Sequence, residues 1–301
     1  MKHASEILLC CDLDRTVLPN GHEPEDVLAR PLFARVATRP EITLVYVSGR
    51  DRQLLQQAIR EYAIPVPDFA IGDVGTTLFH IEAGEWREEL AWSGHIARDW
   101  QGVPAQTLHG YLRDLPELRL QEPEKQNRHK LSYYAAADLD AKRLRQVVEQ
   151  RLAREGIAAS LIWSIDEVDR IGLLDILPAR ASKLHAIEFF MELQGFSVEN
   201  TVFAGDSGND LPVLASDIPS VLVRNAQAEV REEALALARE QGTLSALYLV
   251  QGDFLGLNGH YTAGILEGLA HFQPQTRAWI ETELHRLQGK GQSAGVTWPI
   301  K

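Results

Sequence analysis

The residues able to do chemistry in this chain fall into a few short strings. Asp12-Leu13-Asp14 ends an apolar run over 7–11, and Ser48-Gly49-Arg50 ends another over 42–47. Gly205-Asp206-Ser207-Gly208-Asn209-Asp210 ends a third over 201–204, and Lys183 stands just beyond Leu177-Pro178. If the three runs are neighbouring strands, Asp12, Asp14, Asp206 and Asp210 crowd together, and such charges must protonate or bind a cation. Hard oxygen donors suit Mg2+, which takes one or two carboxylates together with phosphate oxygens. Two aspartates two residues apart permit a division of labour. An ionised Asp12 attacks phosphorus in line. Asp14, its pKa raised by the neighbouring carboxylates, protonates the leaving oxygen and later activates water. Thr16, Ser48 and Asn209 supply donors for phosphate oxygens, and Lys183 neutralises the phosphoryl group.

Each string also has a plain structural reading. Asp12 and Asp14 read equally as turn residues, and Ser48, Ser207 and Asn209 as helix N-caps. Arg50 reads either as a surface charge or as a contact to phosphate or sugar. A lysine at a helix start is disfavoured by the macrodipole, so Lys183 needs an anionic partner there. Trp86, Trp92 and Trp100 read as core packing first and as sugar platforms second.

Three runs that are apolar to the end and then abruptly polar are buried strands of a parallel sheet, whose ligands bind outside the carboxyl ends. Strand and helix alternate over the first 80 residues: strands at 7–11, 42–47 and 69–71, with helices over 24–38 and from 54 to 62. The middle differs in texture. A helix over 104–114, a polar stretch broken by Pro123, a strand at 131–135, an amphipathic helix over 139–155 closed by Gly156, and strands at 157–165 and 171–177 suggest a small α+β unit. Alternation then resumes, with helices over 182–193 and 226–240 and strands at 201–204 and 220–223. The expected fold is α/β: a doubly wound parallel-sheet core (1–80 and 172–274), an inserted α+β unit (81–171), and a C-terminal helix with a Gly-rich, mobile end (275–301).

With 301 residues, 45% apolar and 24% charged, the composition is that of a globular protein of one large or two modest domains. A formal net charge of −12 argues against nucleic acid and anionic membrane as partners. It also means that an anionic substrate needs local cations or a metal. Cys10 and Cys11 are adjacent in an apolar run and give no disulfide framework, which favours a reducing compartment. The apolar stretch before Asp12 is too short for a signal peptide, so the expected location is cytoplasmic.

Taken in order, these strings resemble the four motifs of haloacid-dehalogenase superfamily phosphatases: Asp12-Leu13-Asp14-Arg15-Thr16, Ser48, Lys183, and Gly205 through Asp210. The resemblance implies that Asp12 is the nucleophile and Asp14 the acid and base. It also implies Mg2+ held by Asp12, the Asp14 carbonyl and Asp206, with Asp210 nearby. Dehalogenating members lack the second aspartate and phosphatases have it. An insertion between the second motif and the lysine resembles the larger α/β cap type.

Within the superfamily the chain is most similar to the sucrose-6-phosphate phosphatase family, from about residue 6 to 272. The likeness rests on Gly72-Asp73-Val74-Gly75-Thr76, Lys130-Leu131-Ser132-Tyr133-Tyr134, Leu174-Asp175-Ile176-Leu177-Pro178, Val223-Arg224-Asn225-Ala226-Gln227-Ala228-Glu229 and the segment from Ala263 to Phe272. Arg15 departs from the Gly or Asn more common there, and Leu184 from a common Gly. The resemblance implies a substrate site of Thr16, Ser48, Gly49, Arg50 and Asn209, with Gln126 and Lys130 from the cap. It further implies hydrolysis of sucrose 6-phosphate through an aspartyl-phosphate, with a glycosyltransferase (synthase) as a possible partner. The competing readings are a phosphatase for mannosylfructose phosphate, glucosylglycerol phosphate or a glycosyl-phosphoglycerate, a phosphomutase, and a non-catalytic sugar-phosphate binder.

Overall fold

The structure is a computed structural model and describes residues 6–166 and 170–291. Its larger sheet holds eight strands. In chain order they are β1 (Ile7–Asp12), β2 (Ile42–Val47), β3 (Phe69–Gly72), β4 (Thr77–Glu82) and β5 (Glu85–Glu88). After the smaller sheet, whose strands take the labels β6 to β9, come β10 (Thr201–Gly205), β11 (Ser220–Leu222) and β12 (Leu247–Leu249). The spatial order is β12-β11-β10-β1-β2-β3-β4-β5. All neighbours from β12 to β3 are parallel, and β4 and β5 add an antiparallel edge.

β1 lies between β2 and β10, with Leu9 opposite Leu44 on one side and Val202 on the other. All six of its residues are buried. Its side chains alternate between two helical layers, which is why a central parallel strand reads as a continuous apolar run. Ile7, Leu9 and Cys11 join the core that includes Leu32 and Phe33 of α1 (Ala29–Ala37) and Leu55 of α2 (Arg52–Tyr62). Ile265 and Leu266, from the helix Thr262–Phe272, complete that layer. Leu8 and Cys10 join Ile187 and Phe190, from the helix Lys183–Gln194, on the opposite face.

The smaller sheet is antiparallel, in the order β6 (Arg119–Leu120), β7 (Leu131–Ala136), β9 (Ile171–Pro178), β8 (Ala159–Asp166). The helices Ala105–Leu112 and Ala141–Arg154 cover one face, burying Leu108, Leu144, Val148 and Leu152 against Leu131, Tyr133, Leu174 and Ile176.

The boundary expected at 81–171 needs correction at both ends. β4 and β5 stay in the large sheet, joined by a two-residue turn in which Ala83 (φ 51°) and Gly84 (φ 84°) are both left-handed. That geometry matches the twist of a hairpin, but alanine there hides the turn in the sequence. At the other end the whole of β9 pairs with β7 and β8, so the chain leaves the small sheet only after Pro178. The helix expected after Pro274 spans Thr276–Gly291, and the Gly-rich end beyond it lies outside the described residues. Among the described residues, no helix is long and apolar enough to cross a membrane.

Candidate active site

β1, β2 and β10 are adjacent and parallel, so their carboxyl ends form one rim. Asp12 is the last residue of β1, and Ser48 and Asp206 directly follow β2 and β10. All three are buried, as are Thr16, Lys183 and Asp210.

Lys183 is the first residue of its helix, which is capped by the Ser182 side chain accepting from the His185 amide. Its ammonium donates to Asp12 Oδ1 at 2.6 Å, to Asp210 Oδ1 at 2.7 Å and to Asn209 Oδ1 at 2.9 Å. These are the anionic partners that its place at a helix start requires. The Asp210 Oδ2 atom accepts from the Asp206 and Ser207 amides at 3.0 and 3.1 Å, which shapes the loop after β10. Gly205 must be glycine for this, because a Cβ there would lie 2.6 Å from the Asp210 carboxylate. Thr16 Oγ1 donates to Asp206 Oδ1 at 3.4 Å.

Asp12, Asp206 and Asp210 each bring a carboxylate oxygen to within 4.8 Å of the others. Burial raises Asp12, Lys183 pulls it back, and Asp210 and Asp206 add to the rise. Asp206 is pushed up to about 7 by burial and then by Asp210, against the pull of Arg15 and Lys183. Burial alone would lower Lys183, but the charges of Asp12 and Asp210 outweigh it and raise it. Lys183 sits on Asp12 and Asp210 and the Arg15 guanidinium beside Asp206, so three buried carboxylates share two cations and the cluster is still short of positive charge. An all-oxygen donor set with that deficit fits a hard divalent cation such as Mg2+. Both oxygens of Asp210 are taken, Oδ1 by Lys183 and Oδ2 by two backbone amides, whereas Lys183 bonds Asp12 through Oδ1.

Asp14 is held apart from this cluster. Arg50 grips it with Nε on Oδ2 at 2.9 Å and Nη2 on Oδ1 at 2.6 Å, and Asn20 Nδ2 donates to Oδ1 at 2.7 Å. Burial works to raise the carboxyl, but hydrogen bonds and charge from Arg50 prevail and lower it. The sequence expectation of a raised pKa at Asp14 is therefore corrected: its nearest charged neighbour is a cation. Arg50 here contacts a carboxylate, where the sequence left open a surface charge or a ligand contact. Ser48 Oγ accepts from the Arg50 amide at 3.2 Å, and the N-cap of α2 is Asp51, whose side chain accepts from Leu54. Gly49 is exposed beside them.

Of the two small-unit candidates, Gln126 is tied within its own unit, while Lys130 reaches the residue directly after β3, at the same end of the sheet as Ser48. Gln126 donates to the carbonyls of Ser132 and Gln121 at 2.9 and 3.2 Å and accepts from the Ser132 amide at 2.8 Å. Its amide is committed to the backbone. Lys130 lies 3.5 Å from Asp73, and the neighbouring Asn127 donates to Thr76 Oγ1 at 3.0 Å. Both contacts join the small unit to the loop after β3. Trp92 and Trp100 are fully buried and Trp86 nearly so, which makes all three core residues and not sugar platforms.

Sequence reasoning passed over Asn20 and gave Asn225 no role at the site. Asn225 Nδ2 donates to the Arg15 carbonyl at 2.6 Å, and its Oδ1 accepts from the Tyr261 amide at 2.8 Å. The available signal was its place just beyond β11, at the same end of the same sheet.

This fold and rim define a class: phosphoric monoester hydrolases of the haloacid-dehalogenase superfamily. The particular family follows from comparison, since residues 5–273 match the model of the sucrose-6F-phosphate phosphohydrolases, and the chain belongs to that family. A protein of Nitrosococcus oceani named only as a HAD-like hydrolase is 59% identical over 277 residues, 92% of this chain and 74% of that one. Sucrose-phosphatase 1 of Nicotiana tabacum is 27% identical over 275 residues, 89% of this chain. The chain spans 60% of that relative's length. The structure of a Synechocystis sucrose-phosphatase with sucrose and phosphate shares the fold, with a TM-score of 0.68 at 24% identity, covering 89% of this chain and 98% of that one.

Proposed function

We propose that the protein is a Mg2+-dependent phosphatase that hydrolyses a sugar phosphate, with sucrose 6-phosphate as the first candidate and sucrose and inorganic phosphate as products. The observation that carries this reading is the Lys183 ammonium shared among Asp12, Asp210 and Asn209 beside the buried Asp206. In this reading Asp12 is the nucleophile, Lys183 neutralises the phosphate, and Asp12 with Asp206 is the cation-binding pair. Family membership supports the substrate class.

Lys183 holds Asp12 Oδ1 and so fixes the carboxylate for attack through Oδ2. The Asp12 oxygen bonds to phosphorus as the bond from phosphorus to the sugar oxygen breaks, and Asp14 gives that oxygen a proton. Water then attacks the aspartyl-phosphate, Asp14 takes its proton, and inorganic phosphate leaves with Asp12 restored. Asp14 gripped by Arg50 is in its basic form, suited to the second half of the reaction. To act as an acid it must first exchange Arg50 for the substrate. Mg2+ would be held by Asp12, Asp206 and the Asp14 carbonyl, and when bound it neutralises charge on the phosphoryl oxygens. Thr16, Ser48 and Asn209 are the phosphate donors in this reading. Lys130 is the sugar contact that the small unit still offers, and that unit acts as a cap. A glycosyltransferase that makes the sugar phosphate is the implied partner, and failure of the two proteins to co-sediment would count against a physical complex.

The test is phosphate release from sucrose 6-phosphate beside mannosylfructose phosphate, glucosylglycerol phosphate and glycosyl-phosphoglycerate, with Mg2+ and with EDTA. Mg2+-dependent release selective for sucrose 6-phosphate is expected. Release from another member of the panel replaces the substrate and keeps the mechanism, whereas transfer within the sugar without release supports a mutase.

A further inference from the structure

Arg15 stands where the resembled motif more often has Gly or Asn. It follows Asp14 directly and adopts φ 58°, in the left-handed region where glycine and asparagine sit at ease and a long side chain is strained. Its backbone is pinned there from two directions. The amide donates to Asn20 Oδ1 at 2.7 Å, and the carbonyl accepts from Asn225 Nδ2 at 2.6 Å. The guanidinium is anchored as well, with Nη2 donating to the Asn225 carbonyl at 3.2 Å. Asn225 Oδ1 in turn accepts from the Tyr261 amide, so the residue that anchors Arg15 is itself held by a further segment.

This frame points the charge at Asp206. Arg15 Nε lies 3.4 Å from Asp206 Oδ2 and has no hydrogen-bond partner although it is buried. The contact on the other oxygen, from Thr16, is equally long at 3.4 Å. Charge-assisted hydrogen bonds are ordinarily about 2.7–2.9 Å. Asp206 is thus compensated by a nearby cation without being locked by it, which suits a carboxylate that changes partners.

We propose that Arg15 sets the affinity of the carboxylate cluster for a divalent cation, by fixing a positive charge on Asp206 that an incoming cation must share or displace. Arg15 is a positioning residue here, acting through Asp206. The inference rests on the reading of Asp12 and Asp206 as cation ligands. It goes further by making the site weaker for Mg2+ than the carboxylates alone would be, so that occupancy follows the free Mg2+ concentration.

The experiment is calorimetric titration of the full-length protein with MgCl2, without substrate, for wild type, R15N, R15G, R15K and D206N. Asparagine and glycine suit the backbone at this position, so the neutral variants keep the loop. Removing the charge is expected to tighten Mg2+ about tenfold in R15N and R15G, equivalent to about 1.4 kcal/mol. R15K, which keeps the charge, is expected to stay near wild type, and D206N to lose binding. Equal or weaker Mg2+ affinity in both neutral variants overturns the inference while leaving the cation site intact. No Mg2+ binding by wild type overturns the cation reading, and this inference with it.

Discussion

The rim of the large sheet and the link between β6 and β7 in the small unit both gather polar side chains, but they use them differently. On the rim, Asp12 and Asp210 share the Lys183 ammonium and Asp206 has the Arg15 guanidinium 3.4 Å away, three carboxylates to two cations. In the link between β6 and β7, Gln126 is matched to backbone groups and Lys130 to Asp73. A satisfied network holds shape, whereas an unbalanced one has capacity left for a ligand. The comparison places the bond-breaking chemistry in the core and leaves fit to the small unit.

The sharpest way to break this contrast is Asp12→Asn. Loss of about 10⁴-fold or more in kcat is expected, since removing a nucleophile leaves only binding and electrostatics. Comparable turnover in the variant would move the chemistry elsewhere. Asp14→Asn is expected to cost about 10²–10⁴-fold in rate, the usual worth of a general acid or base. Its half-exposed pairing should leave stability within about 1 kcal/mol of wild type by denaturant melts.

Lys183→Met separates the regions by stability. It strands buried carboxylates, and such losses run to about 3–5 kcal/mol. Added Mg2+ should restore part of this, and a melt unchanged by the substitution would argue against a tightly charged cluster. Lys130→Met is milder. About a tenfold rise in KM at nearly constant kcat is expected for a group that touches sugar and not phosphorus, and a fall in kcat alone would be the wrong pattern.

The last contrast is a pH slope in the small unit. Burial, with Arg128 adding to it, pushes the His129 imidazole down to about 4. An unfolded histidine titrates near about 6.5. Between those values the unfolded chain binds the extra proton, so stability falls as the pH drops through that window. His129→Gln should flatten this part of the melting-temperature profile, and an unchanged slope would remove His129 as its source.

The core strands and the rim could be read from sequence because each central strand is apolar along its whole length and polar just past its end. That is a local signal with a geometric consequence: Asp12, Ser48 and Asp206 had to share one edge. The small unit gave no such signal. Gln126 and Lys130 are ordinary polar residues whose partners, Ser132 and Asp73, depend on how β7 pairs and where the loop after β3 runs. The state of Asp14 was misjudged for a related reason. The sequence lists its acidic neighbours, but only the fold decides that Arg50, 36 residues away, reaches it first. The β4–β5 hairpin escaped notice because Ala83 occupies a position where glycine or asparagine would have marked the turn.

The central claim is that Asp12 receives the phosphoryl group, and the direct measurement is mass spectrometry of the protein quenched in acid during turnover of the preferred sugar phosphate with Mg2+. An added mass of about 80 Da on the peptide carrying Asp12, absent in Asp12→Asn, is the expected result for an aspartyl-phosphate. Phosphate release at full rate with no adduct in rapid-quench samples, or an adduct on another residue, would contradict it.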